Sequence, residues 1–139
     1  MGVRRRGREL ALQMLYQREL AGTDVEQIFH DFEELKQAPP MAGRFAVELV
    51  RGVVERLAAL DGAIASQADH WRLQRMAAVD RNILRLALYE LLFNPETPPA
   101  VVIDEAVEVA KRFGSERSSQ FVNGILDGFV HRGGPPTPS

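Results

Sequence analysis

Four arginines stand within five positions near the start of the chain: Arg4, Arg5, Arg6 and Arg8, with no acid before Glu9. A guanidinium presents a planar fork of N–H donors that fits phosphate oxygens bidentately, and its face stacks on bases. Helix starts ordinarily favour acids, so four cations at one need another reason. An anionic partner supplies one; a solvated, frayed terminus is the plainer alternative. A second group of candidates runs from Lys111 to Gly124, where cations, hydroxyls, amides and Phe121 gather around a helix–turn–helix joint. Single-stranded nucleic acid is bound by stacking bases on aromatic rings and by hydrogen bonds to unpaired edges. Ser115, Ser118, Gln120 and Asn123 offer donors and acceptors for that, and the N–H groups opening the last helix suit a phosphate. The bland reading of the same residues makes Phe113 core, Gly114 a C-cap, and Ser115 with Ser118 ordinary capping residues. Third, Glu90 lies four residues after Leu86 and seven after Ile83, on the apolar side of its helix. A buried carboxylate must be paired or hydrogen-bonded. With no second carboxylate or histidine placed to help it, Glu90 is expected to be structural, accepting backbone N–H groups or pairing with an arginine.

The rest of the composition closes off most other chemistry. There is no cysteine, which removes disulfides, thiolate metal sites and cysteine nucleophiles. His30, His70 and His131 lack the spacing of metal ligands. No phosphate loop, nucleophile elbow or H-E-x-x-H is present. The expectation is a protein with no catalytic set, cofactor or metal. No apolar run approaches the roughly 20 residues of a membrane span. Glu9, Gln13, Gln17, Arg18 and Glu19 interrupt what would have to be the core of a secretory signal, and Arg6 stands where a myristoylation pattern needs Ser or Thr. A cytoplasmic location follows by default. The net charge of −2 argues against a broadly basic surface. It is unevenly spread, however: after the arginines come Glu19, Asp24, Glu26, Asp31, Glu33 and Glu34 against only Arg18 and Lys36, which suggests a local polyanion site on an acidic body.

Helices must position these groups, because the apolar periodicity is helical almost throughout. Ala11, Leu12, Leu15 and Tyr16 mark a first helix over Arg4–Ala21. Gly22 ends it, and Thr23 or Asp24 caps the next. Val25, Ile28, Phe29, Phe32 and Leu35 line a second, broken by Pro39-Pro40. A third spans about Met41–Ala59, with a turn or kink at Asp61-Gly62 and a shorter helix from there to His70 and Trp71, a core or seam anchor. Val79, Ile83, Leu86 and Ala87 begin an apolar helix to Phe93. Asn94–Pro99 is a loop. Val102, Ala106, Val109 and Phe113 mark the next helix, and Glu116–Val130 the last. The fold class expected is all-α, about seven helices in two packed subdomains (about 1–60 and 61–131), with a disordered tail over 132–139.

Several runs resemble the NusB family: Arg4-Arg-Arg-Gly-Arg-Glu-Leu-Ala-Leu-Gln-Met-Leu-Tyr16 its opening, Asp80–Leu91 its central helix, Pro99–Gly114 and Phe121–Asp127 its closing signature. In order, they cover nearly the whole chain apart from the tail. The resemblance implies a fold of two helical subdomains and binding to boxA RNA. It also implies pairing with NusE, a small-subunit ribosomal protein, and work with NusA and NusG on elongating RNA polymerase to suppress termination. By position it implies that Arg4, Arg5, Arg6 and Arg8 hold phosphates, that Phe121 stacks on a base with Ser118 and Gln120 beside it, and that Tyr16 and Asp80 face NusE. Some members form homodimers. Two positions depart from the pattern: Arg117 stands where some members carry an acid, and Gln120 where some carry lysine. Gly7, inside the arginine run, is expected to weaken the helix start by about 1 kcal/mol relative to alanine.

Two rivals have consequences that can be checked. NusB-like domains also occur fused to ribosomal-RNA cytosine methyltransferases, but that chemistry needs a further α/β domain and a cysteine that this chain lacks. A purely protein-binding helical module would show no salt-dependent RNA binding.

Overall fold

The structure, a computed structural model, describes residues 2–68 and 73–132. The expectations for His70, Trp71 and the tail beyond Arg132 lie outside the described residues. Arg132 itself is the last residue of a helix, one position beyond the domain limit read from the sequence.

Eight α-helices follow one another: α1 (Val3–Ala21), α2 (Val25–Asp31), α3 (Glu33–Gln37), α4 (Pro40–Glu55), α5 (Leu57–Gln67), α6 (Ala78–Phe93), α7 (Pro99–Phe113) and α8 (Ser118–Arg132). A short 3₁₀ turn at Leu73–Arg75 precedes α6, and no strand occurs among the described residues. Gly22 stops α1 at φ +67°, its N–H donating to the Arg18 carbonyl, a left-handed cap that glycine adopts without steric cost. The Asp24 side chain then caps α2 by accepting the Glu26 N–H. Pro40 and Pro99 occupy the first turns of α4 and α7, where a missing N–H costs nothing.

Two boundaries differ from the sequence reading. The second helix is split at Phe32, whose ψ of 107° is extended. The third breaks at Arg56 rather than at Asp61-Gly62, which lies within α5. Arg56 lies over the rings of Phe93 and Tyr89, 4.4 and 5.9 Å from their centroids. Stacking of this kind rewards a local departure from helix that neither Gly nor Pro announces.

One buried apolar cluster extends from Leu10 in α1 to Phe129 in α8, and α1 packs against α2, α4, α6 and α7. Ion pairs fix its direction against its neighbours. Arg8 meets Glu90 while Glu19 meets Arg81 and Arg85, so α1 runs antiparallel to α6. Arg5 and Arg8 meet Glu105 while Glu9 meets Arg112, so it runs parallel to α7.

The most buried of these pairs corrects an expectation. Arg8, read from the sequence as a phosphate ligand, is 6% exposed. Its Nε and Nη2 donate to the two Glu90 oxygens at 2.8 Å each, and Nη1 donates to Glu105 at 3.2 Å. Its guanidinium also faces the Phe45 ring at 5.4 Å. Arg8 therefore joins α1 to α4, α6 and α7, and its donors are committed inside the protein. Glu90 has the arginine partner that its place on an apolar face required. The Glu19 carboxyl experiences opposing influences. Burial raises its pKa, hydrogen bonds and charge from Arg81 and Arg85 lower it, and the net shift is downward. Arg85 extends this second network by a fork to Asp61 on α5, at 2.7 and 3.0 Å.

Gly7 also has a role that helix propensity does not describe. A Cβ there would lie 2.7 Å from Phe45 Cδ2 and 3.1 Å from the Ala42 carbonyl. It is the spot where α1 and α4 touch. Gly7→Ala is therefore expected to lower stability by about 1–3 kcal/mol through overpacking, despite the roughly 1 kcal/mol that alanine gains in an isolated helix. Urea unfolding checks this, and a midpoint raised by the substitution would refute it. For the clasp, Glu90→Gln is expected to cost about 3 kcal/mol, since it leaves the buried Arg8 cation under-compensated. An unchanged unfolding midpoint would show that Glu105 alone suffices.

Candidate nucleic-acid interface

The first turn of α1 distributes its arginines unequally. Arg4 is exposed and lies over the Phe45 ring, 4.9 Å from its centroid. Arg5 is half-buried and donates through Nε and Nη2 to Glu105 at 3.1 and 2.5 Å. That hydrogen bond and the Glu105 charge raise its pKa further above the ordinary arginine value. Arg6 approaches Glu9 at 3.9 Å, too far for a hydrogen bond. Arg4 and Arg6 are thus the members of the run whose guanidiniums form no hydrogen bond to a carboxylate among the described residues, while Arg5 shares its charge and Arg8 is enclosed.

The second group surrounds the α7–α8 joint. Ser118, expected on an RNA face, is instead 1% exposed. Its Oγ accepts the Ser115 N–H at 2.8 Å and lies 3.2 Å from the Ser115 hydroxyl, so it ties the joint together from within. Gly114 permits that closure by lacking a side chain. Its φ of −92° is ordinary, but a Cβ would sit 2.4 Å from the Ser118 Oγ and 2.8 Å from the Ala110 carbonyl. Gln120 is exposed, and Phe121 is half-buried with part of its ring packed on the core. Both line an open cleft that also takes in Arg75, Met76, Asp80 and Arg117. Asp80, grouped with Tyr16 in the sequence reading, lines the same cleft as Phe121.

The arginine turn and Phe121 do not touch. Because α1 and α7 run parallel, the first turn of α1 lies near Glu105 and the α8 start lies beyond Arg112. Seven residues separate these on α7, about 10 Å at 1.5 Å per residue. The interval is not empty of charge. Glu9, 2% exposed, accepts a hydrogen bond from Arg112 at 2.7 Å on the same Oε1 that Arg6 approaches. The expected single patch is a band: Arg4 and Arg6, then Arg112, then the cleft floored by Phe121. The sequence reading counted Arg112 and Arg117 among the cations of the joint but named neither of them, nor Arg75, as an RNA ligand. Arg112 was legible in principle, being the last cation before a glycine that ends a helix.

Farther along α1, Tyr16 is 39% exposed and Leu20, one turn on, 62%. Together they form an apolar strip beside the Glu19–Arg81 pair. Among the described residues no helix is long and apolar enough to cross a membrane, and no three His, Asp or Glu side chains converge to hold a metal ion.

With this geometry in hand, comparison with known proteins is direct. The NusB family matches residues 5–131. The transcription antitermination protein NusB of Sorangium cellulosum is 51% identical over 127 residues, 91% of each chain. That of Citrifermentans bemidjiense is 50% identical over 135 residues, 91% of this chain and 93% of the relative. Among solved structures, T. maritima NusB superposes with a TM-score of 0.85 at 42% identity, over 96% of this chain and 93% of that one. A structure of NusB and NusE in complex with double-stranded RNA gives 0.81 at 30% identity, over 92% and 96%. The family match spans nearly the whole chain, the relatives are about half identical and the solved structures superpose along its length, so the chain belongs to the NusB family.

Proposed function

We propose that this chain is a transcription antitermination factor that binds boxA-type single-stranded RNA together with NusE and promotes processive transcription of ribosomal RNA operons. The observation that carries this reading is the band of cations ending at an aromatic cleft along α1, the end of α7 and the start of α8. On an otherwise acidic protein, such a band concentrates attraction for a polyanion in one place. Arg4 and Arg6 hold phosphates, with Arg5 joining them by sharing or leaving Glu105. Phe121 stacks on a base, and Gln120 meets a base edge. Arg8 and Ser118 serve indirectly, by fixing the first turn and the joint.

The exposed Tyr16–Leu20 strip suits an apolar protein contact, and NusE is the partner assigned to it. The factor acts as an adaptor without catalysis of its own. RNA and NusE each add contacts, and tethering one raises the effective concentration of the other. Within the same proposal, the assembly joins NusA, NusG and RNA polymerase in the cytoplasm, and a homodimer is its resting form where self-association covers the RNA face. Within a division near residues 60 and 61, α1 belongs to the first half and packs on α6 and α7 of the second. A single strand is favoured over a duplex because Phe121 offers a ring to an unstacked base.

Two measurements test this. Arg4→Ala combined with Arg6→Ala is expected to weaken boxA binding and to reduce the slope of log affinity against log salt by about 0.7 per lost phosphate contact. An unaltered slope would remove these residues from the interface. Phe121→Ala is expected to weaken single-stranded RNA binding by about 1–3 kcal/mol with helicity retained in circular dichroism. Tighter competition by duplex than by single-stranded RNA would instead favour readout of helical shape.

A further inference from the structure

A groove leads from the first turn of α1 onto the start of α4. Val3, Arg4, Met41, Arg44, Phe45 and Glu48 line it. Met41 and Val3 are apolar yet 66% and 43% exposed, and the half-buried Phe45 stands beside them. Single exposed apolar side chains are ordinary on a protein surface, but a group of them rimmed by polar residues marks a contact surface. Arg44, exposed and one residue before Phe45, takes part in no hydrogen bond, ion pair or ring contact among the described residues. Arg4 meets the Phe45 ring and no carboxylate. Two guanidiniums therefore share one groove with their N–H donors uncommitted.

Glu48, one turn after Arg44 on α4, bounds the groove and opposes an anion beyond it. The next groove, between α3 and α4, also carries cations, but these are matched. Arg51 donates to both Glu26 oxygens at 3.1 Å, and Lys36 lies 3.8 Å from Glu33. Among the described residues, the uncommitted positive charge on this side of α1 thus runs from Arg4 to Arg44 and no farther. A protein seated on Val3 and Met41 would have to bring acids for both arginines. A nucleic-acid strand answers both features at once, with phosphates for the guanidiniums and sugars and base faces for the apolar side chains, a methionine sulfur being a good neighbour to an aromatic ring. We infer that a single-stranded RNA held at the arginine turn continues over α4. There Arg44 binds a phosphate outside the band described above, and Met41 with Val3 packs against the adjoining sugar or base. The inference rests on the RNA-binding reading and adds a further contact surface to it, on the α4 side of the turn, whereas Phe121 lies toward α7 and α8.

The test varies the RNA as well as the protein. A single-stranded boxA-type RNA with flanking nucleotides is shortened stepwise from either end, and binding to the full chain is measured by fluorescence anisotropy across a salt series. Arg44→Ala, checked for helicity, is expected to bind the longest RNA about fivefold more weakly, with a salt slope lower by about 0.7, the share of one phosphate contact on a single strand. That deficit is expected to vanish once shortening from one end, and from that end alone, has removed the nucleotides over α4. Arg44→Lys is expected to keep the wild-type slope, and Met41→Gln to weaken the longest RNA with the slope unchanged. The Arg4→Ala, Arg6→Ala variant, by contrast, is expected to stay weaker than the wild-type chain at every length that binds. Equal affinities of wild type and Arg44→Ala at every length would overturn the inference and leave the role of the arginine turn standing. So would a deficit that persists unchanged however short the RNA. If Arg44→Ala or Met41→Gln weakens NusE binding or alters self-association while RNA binding is unaltered at all lengths, the groove is a protein contact and the inference falls. Absence of binding to any RNA would overturn both this surface and the reading it rests on.

Discussion

Arg8 sits where four helices meet, and burying its charge dictates much of what surrounds it. A guanidinium withdrawn from water costs several kcal/mol unless its donors are met. Here Glu90 meets two of them with the geometry of a planar fork, and Glu105 a third. Such a pair is weak evidence of net stability, since an apolar replacement of like volume often does as well. Its consequence is positional. A bidentate pair tolerates little sliding or rotation, so the register of α1 against α6 and α7 is set at this point. The Phe45 ring, faced by both Arg8 and Arg4, carries the same constraint to α4.

The surface follows from that register. With α1 held parallel to α7, Glu105 is brought under Arg5 and Glu9 under Arg112. The acids of the core-facing side thus partly neutralise the cations nearest to them. What remains for an external anion is the outer part of the run. This explains how a chain of net charge −2 can present a cationic band: charges of opposite sign are sorted by depth, with acids inside and arginines reaching outward over them. At the far end of α1 the order is reversed: the arginines Arg81 and Arg85 lie deeper than Glu19.

The helices were legible because apolar spacing reports burial, and burial is what makes a helix stable in a protein. Terminations with a backbone cause, such as Gly22 and Pro40, were legible for the same reason. The breaks at Phe32 and Arg56 were not, since their cause is side-chain packing from distant segments. Gly114 was rightly read as a C-cap, but its room for Ser118 was not visible, and Gly7 was read only as a backbone weakness, because the clash it avoids involves Phe45, which only the tertiary fold brings near. The arginine run looked uniform. A signal separating Arg8 was nevertheless present: it lies three, four and seven residues before Ala11, Leu12 and Leu15, all buried, and so on their face of the helix. Two oppositely charged residues on apolar faces, Arg8 and Glu90, make a pair by complementarity. Ser118 had no comparable signal, since a capping hydroxyl and a ligand hydroxyl look alike in sequence.

On the reading proposed here, α1 also couples the two kinds of contact. Its first turn begins the phosphate band, and its later turns carry Tyr16 and Leu20. A helix clasped to its neighbours near both ends, by Arg8 and by Glu19, behaves as a rigid spacer between them. The two surfaces are then held at a fixed separation whether or not either is occupied. Cooperation between RNA and a protein partner needs no conformational signal through such a body. Preorganisation is enough, because each ligand meets a surface whose ordering cost was met on folding, and the first one bound positions the second. Phe121 lies in the cleft at the end of the band, so phosphate attraction would bring a strand to a ring on which an unstacked base can settle.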